Sequence, residues 1–123
     1  MRKLLVIDDE ESMLYPLDNF FSKNGFQVAT LSRAAAAYNV IEAFKPDIIL
    51  LDIKLEEFDG RDICMDLKTH DRLKRIKIIL CSAYVINKEE YIDYGADDFI
   101  AKPFTLNALL EKVNQHTAAL IRS

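Results

Sequence analysis

Four acids in a row, Asp8, Asp9, Glu10 and Glu11, follow directly on the apolar run Leu4-Leu5-Val6-Ile7, with no glycine or proline between them. Carboxylates crowded at the mouth of a buried element repel one another, so a fold that keeps them together needs a cation there. Three further groups also stand directly after apolar runs: Asp52 after IILL, Ser82 after IILC and Lys102 after DFIA. Oxygen donors without histidine or cysteine suit a hard cation, and a site with few protein ligands and room for water suits magnesium better than calcium. A lysine has no place in a pure metal site, yet it pairs with phosphoryl oxygens where an anion binds beside the metal. The set describes a pocket for an anion held by a cation. Taken alone, Asp8 and Asp9 would read as helix-capping acids worth at most about 1 kcal/mol; the company of Asp52 and Lys102 favours the metal site.

For these groups to meet, the elements that carry them must end at one edge. Apolar runs rich in β-branched residues at 3–8, 26–31, 47–53, 76–82 and 97–102 predict five strands. Between them lie stretches of helical period: Met13, Leu17, Phe20 and Phe21; Ala37, Val40, Ile41 and Phe44; Ile63 and Leu67; a short one near Tyr91; and Leu106, Leu109, Leu110 and Val113. Strands of near-continuous apolar character are buried on both faces, and helical crossovers make them parallel. The fold class is therefore α/β, a doubly wound, flavodoxin-like five-stranded parallel sheet with helices on both faces. With strand order 2-1-3-4-5, the order reverses between strands one and three, and ligands bind beyond the carboxyl ends at such a point. Asn24-Gly25, Lys45-Pro46 and Gly95 are expected to end the first, second and fourth helices. Asp59-Gly60 reads as a turn into the third helix. Pro16 clashes with the carbonyl four residues back unless it lies in a first turn, so the first helix is expected to be kinked or to start late, near Ser12.

Size and composition narrow the function. The 123 residues are expected to form a single domain, 1–123, with no second domain in the chain; half are apolar and 29% charged, with three glycines and three prolines. No apolar run approaches the roughly 20 residues of a membrane span, and MRKLLVIDD lacks a signal-peptide core, so a cytoplasmic protein is expected. Cys64 and Cys81 lack zinc or disulfide spacing and read as small core hydrophobes. The net charge of −4 argues against nucleic-acid binding by this chain, and the basic cluster Lys68, Arg72, Lys74, Arg75, Lys77 reads as a solvated loop and helix end. His70 and His116 lie in polar stretches and read as surface residues.

In order and spacing, VIDDE at 6–10, LLDIKLEEFDG at 50–60, CSAY at 81–84 and GADDFIAKPF at 95–104 resemble the receiver domain of bacterial two-component response regulators, over Lys3 to about Leu120. The resemblance implies a signalling domain that is not an enzyme beyond magnesium-dependent self-phosphorylation and self-dephosphorylation. Asp52 matches the phosphoacceptor, which takes a phosphoryl group from a histidine kinase or histidine phosphotransfer protein. Asp9 and Asp52 would bind Mg2+ directly, Lys54 through its backbone carbonyl and Asp8 through water. Lys102 and Ser82 would hold the phosphoryl group, Ser82 and Phe99 would act as the conformational switch, and Lys102-Pro103 matches a cis peptide. Met13, Pro103 and Phe104 would form the donor's docking contacts. The fourth helix, fifth strand and fifth helix would receive a downstream protein or a second copy. Lys54 and Tyr84 stand where the family sets the lifetime of the phosphate, and neither orients a water well, which implies slow self-dephosphorylation; the alternative is that both point into solvent.

The chain departs from the family in two places. Leu55-Glu56 stands where Met-Pro is common, removing a rigid turn residue, and Ser82 replaces the commoner threonine. Ser82 and Phe99 could also be plain strand-end and core residues, and Tyr84 an ordinary loop aromatic. Two other functions use parts of the same set. A haloacid-dehalogenase-type phosphatase would need its acids in a D-x-D arrangement after strand one, and here they are adjacent. A receiver-like scaffold that is never phosphorylated would not need the full acidic, hydroxyl and lysine set.

Overall fold

A computed structural model describes residues 1–120; the last three residues of the 1–123 span lie outside the described residues. Five strands, β1 (Arg2–Ile7), β2 (Phe26–Leu31), β3 (Ile48–Asp52), β4 (Lys77–Ser82) and β5 (Asp98–Ala101), alternate with five helices, α1 (Leu14–Lys23), α2 (Ala37–Phe44), α3 (Gly60–Thr69), α4 (Lys88–Asp93) and α5 (Leu106–Thr117). The strands form one parallel sheet in the order β2-β1-β3-β4-β5, as the apolar runs predict.

Alternation along the strands divides the core in two. Leu5, Ile7, Ile49, Leu51, Ile78 and Leu80 face α2 and α3, against Ala37, Ile41, Ile63, Cys64 and Leu67. Leu4, Val6, Ile48, Leu50, Ile79 and Cys81 face α1 and α5, against Leu17, Phe21, Leu109 and Val113. Both cysteines are buried and free, and burial pushes each thiol up to about 12, which suits core residues and not nucleophiles. Among the described residues, no helix is long and apolar enough to cross a membrane.

Helix ends follow local chemistry. Asp59, Asn87 and Thr105 cap α3, α4 and α5 through side-chain oxygens. The helix before β3 ends at Lys45, held at φ 55, a left-handed position that glycine would fill without strain. Glu11–Met13 form a 3-10 turn and α1 proper begins at Leu14, two residues later than the expected start at Ser12. Pro16 thus falls in the first turn, where its missing N–H has no helical partner to lose.

Two surface assignments need correction. Lys68 is not solvated: its ammonium bonds the Ile76 carbonyl at 2.8 Å and Asp97 at 3.0 Å, tying α3 to the start of β4. His116 is not a surface residue: its Nε2 lies 2.9 Å from Asp98, whose other oxygen takes Lys112 at 3.0 Å. Each lies in a polar stretch of sequence, but the partner acids, Asp97 just before β5 and Asp98 at its start, are 29 and 18 residues away, so local polarity could not reveal the pairing.

Candidate functional site: an acidic pocket at the carboxyl edge of the sheet

Sheet register assembles the site. Ile7 pairs with Leu51, so Asp8 leaves β1 directly beside Asp52 at the end of β3; Ser82 pairs with Ala101, so Lys102 leaves β5 beside Ser82. One carboxylate oxygen from each of Asp8, Asp9 and Asp52 lies within 4.8 Å of the others. Asp8 and Asp52 are buried and Asp9 is exposed, so the cluster has two inner acids and an open side. The Lys102 ammonium bridges the inner pair, 2.9 Å from Asp8 and 3.4 Å from Asp52. Asp8 also accepts the Glu10 N–H at 2.9 Å, and the peptide between Lys102 and Pro103 is cis.

The electrostatics follow from this crowding. Burial first, and then the charge of Asp8, push the Asp52 carboxyl up to about 6, against the opposing pull of Lys102. Lys102 is driven the other way: burial lowers its affinity for a proton, but the Asp8 bond and both carboxylate charges outweigh that and raise it. One ammonium does not neutralise three acids. The hard oxygen set and its open side fit a magnesium ion with water completing its shell.

The family profile of the response regulator receiver domain matches residues 4–114 of this chain. The chain belongs to that family. Among curated relatives, the receiver is 32% identical over 98% of its length to the alkaline phosphatase synthesis transcriptional regulatory protein PhoP of Bacillus subtilis, covering 49% of that protein. It is 31% identical over 91% of its length to the transcriptional regulatory protein GltR of Pseudomonas aeruginosa, covering 47% of that protein. The chain thus spans about half the length of the curated relatives it matches. Among solved structures, the receiver domain of a Francisella response regulator superposes with a TM-score of 0.88 at 25% identity, covering 98% of this chain and 100% of that one.

The remaining singled-out residues surround the receiver's pocket at different depths. Ser82 is buried and its hydroxyl accepts the Tyr84 N–H at 3.0 Å. Phe99 is partly buried against the α2–α3 side of the core. Tyr84 is 73% exposed, and Lys54 is exposed as well; with Ser82, Arg61 and Phe58 they line a cleft of about 520 Å³. Met13, Pro103 and Phe104 meet across a second cleft of about 500 Å³, together with Pro16, Leu17 and Lys102.

Sequence reasoning treated Gly60 as a turn residue only. A Cβ there would lie 2.1 Å from the Asp52 carbonyl oxygen, so α3 starts pressed against the backbone of the central acid, and only glycine fits. Its spacing of eight residues from Asp52 was the available signal. Arg61, which chelates Asp59, was also missed; nothing local separates it from any exposed arginine.

Proposed function

We propose that this receiver accepts a phosphoryl group on Asp52 from a phosphohistidine of a histidine kinase or histidine phosphotransfer protein, with Mg2+ as cofactor. The convergence of Asp8, Asp9, Asp52 and Lys102 at one sheet edge carries this reading. In the reaction an Asp52 oxygen forms a bond to phosphorus as the phosphorus–nitrogen bond breaks, and the nitrogen keeps the electron pair. Lys102 already lies between the inner carboxylates, where it can hold a phosphoryl oxygen, and among the described residues the Ser82 hydroxyl has only the Tyr84 N–H to release before turning to the same group. Asp8, Asp9, Asp52 and the Lys54 carbonyl would hold the magnesium, which when bound offsets negative charge on the transferring group.

Phe99, on β5 beside the strand that ends at Ser82, would carry the change to α4, β5 and α5, the surface for a downstream protein or a second copy. The donor would sit over Met13, Pro103 and Phe104. With Tyr84 in solvent, slow dephosphorylation requires that its ring, or Lys54, fold over the phosphoryl group once it is present. Equal rates of phosphate loss from wild type, Lys54→Asn and Tyr84→Ala would exclude that.

The deciding experiment is incubation with magnesium and acetyl phosphate, followed by mapping of acid-stable, base-labile phosphate by mass spectrometry. Phosphate on Asp52, absent from Asp52→Asn, is the expected result. Phosphate on Asp8 or Asp9 would instead support phosphatase chemistry, and none with any donor would support a scaffold. NMR shifts with beryllofluoride should reach α4, β5 and α5; shifts confined to α2 and α3 would overturn the proposed output surface.

A further inference from the structure

The loop between β3 and α3 carries Lys54, yet has Leu55-Glu56 where the family often places a rigid proline. Its order comes from elsewhere. Gly60 N–H donates to the Ile53 carbonyl at 2.7 Å and Leu55 N–H to the Phe58 carbonyl at 3.2 Å, setting Lys54 opposite Asp59 in a two-residue antiparallel bridge. Bonds that flank a pair in this way leave the pair's own carbonyls turned outward. The Lys54 carbonyl meets no donor among the described residues.

On the other side of the bridge, Asp59 does two things at once. It caps α3 through the Arg61 N–H at 2.9 Å, and both its oxygens are chelated by the Arg61 guanidinium, at 3.0 and 3.1 Å from Nε and 2.6 Å from Nη2. That guanidinium lies 5.4 Å from the centre of the Tyr94 ring at the end of α4. An ion pair this exposed contributes little to stability. Its forked geometry, however, fixes the orientation of the carboxylate and of the backbone that bears it.

We propose that Asp59 and Arg61 are positioning residues that hold the Lys54 carbonyl toward the metal site, in place of the order a proline at position 56 would supply. This rests on the reading of Asp8, Asp9 and Asp52 as a magnesium site. Glu56 N–H donates to no backbone group among the described residues, so a proline there removes no backbone bond.

The test is a magnesium chloride titration of the 15N-labelled chain without phosphodonor, followed at the amides of Asp9 and Ile53–Leu55. Asp59→Asn keeps a capping oxygen and Arg61→Gln keeps the cap whole, so both should melt within a few degrees of wild type. Each is expected to weaken apparent magnesium affinity five- to tenfold, and Glu56→Pro added to Arg61→Gln should restore it to within twofold of wild type. Affinities equal to wild type in both single variants, or no recovery with the proline, overturn the clamp. A wild type that takes up no magnesium overturns the metal-site reading itself, a separate and recognisable result.

Discussion

At the scale of single residues, Asp52 is held at a cost that the fold can bear only with help. A carboxyl whose folded pKa lies above its unfolded value favours folding while it is protonated. That contribution is full below about pH 4 and is lost as pH rises toward the folded value of about 6. At pH 7, without metal, ionised Asp52 therefore works against stability. Asp52→Asn should raise the metal-free stability at pH 7 by about 1–2 kcal/mol, read from urea unfolding. A variant no more stable than wild type would mean that Lys102 already compensates the charge in full. Asp98 behaves in the opposite sense. Burial raises its pKa, but bonds from His116, the Phe99 N–H and Lys112 prevail and hold it below the usual range. Its contribution is present above about pH 4 and fades as pH falls through the folded value, so Asp98→Asn should cost about 2 kcal/mol at pH 7 and progressively less below pH 4. Urea midpoints at pH 7 and pH 3 measure the difference; an equal gap at both would remove the ionic account of this cluster.

At the scale of elements, the close approach of α3 to β3 leaves no room for a side chain at Gly60, the first residue of α3. In Gly60→Ala the new methyl meets backbone, which cannot rotate aside, so the variant should lose about 3 kcal/mol of stability in urea unfolding and shift the Asp52 amide. A loss below about 1 kcal/mol would show that α3 slides freely. Helix α4 is the contrasting case: six residues, none buried. Its amides should exchange with deuterium far faster than those of β1, β3 and β4, by opening without global unfolding. Exchange as slow as in the central strands would show it to be part of the cooperative core. These elements were legible in the sequence to different degrees. The five strands showed because both of their faces are buried, and Asp8, Asp9, Asp52, Ser82 and Lys102 showed because they stand where apolar runs stop. The late start of α1 was foreseen from Pro16, though not its residue. What stayed hidden was pairing between side chains far apart in sequence: Lys68 with Asp97, and His116 with Asp98. Arg61 stayed hidden for another reason, since a chelate with the residue two places before depends on a helix cap that composition does not show.

At the scale of the whole molecule, strict alternation along the strands gives the sheet two chemically separate sides. Phe99 and the aromatic residues Tyr91 and Tyr94 of the α4 region pack with the α2–α3 side, while Met13 and Phe104 pack with the α1–α5 side. Asp52 ends the Ile48 and Leu50 row of β3, which faces the α1–α5 side. A donor seated on Met13 and Phe104 would therefore leave the Phe99 side uncovered, and a partner reading Phe99 would leave the donor's seat vacant. If the proposed function holds, the donor and a partner reading Phe99 would meet only at α5, which packs on the donor's side of the sheet, so whether loading and readout compete would be decided along that one helix.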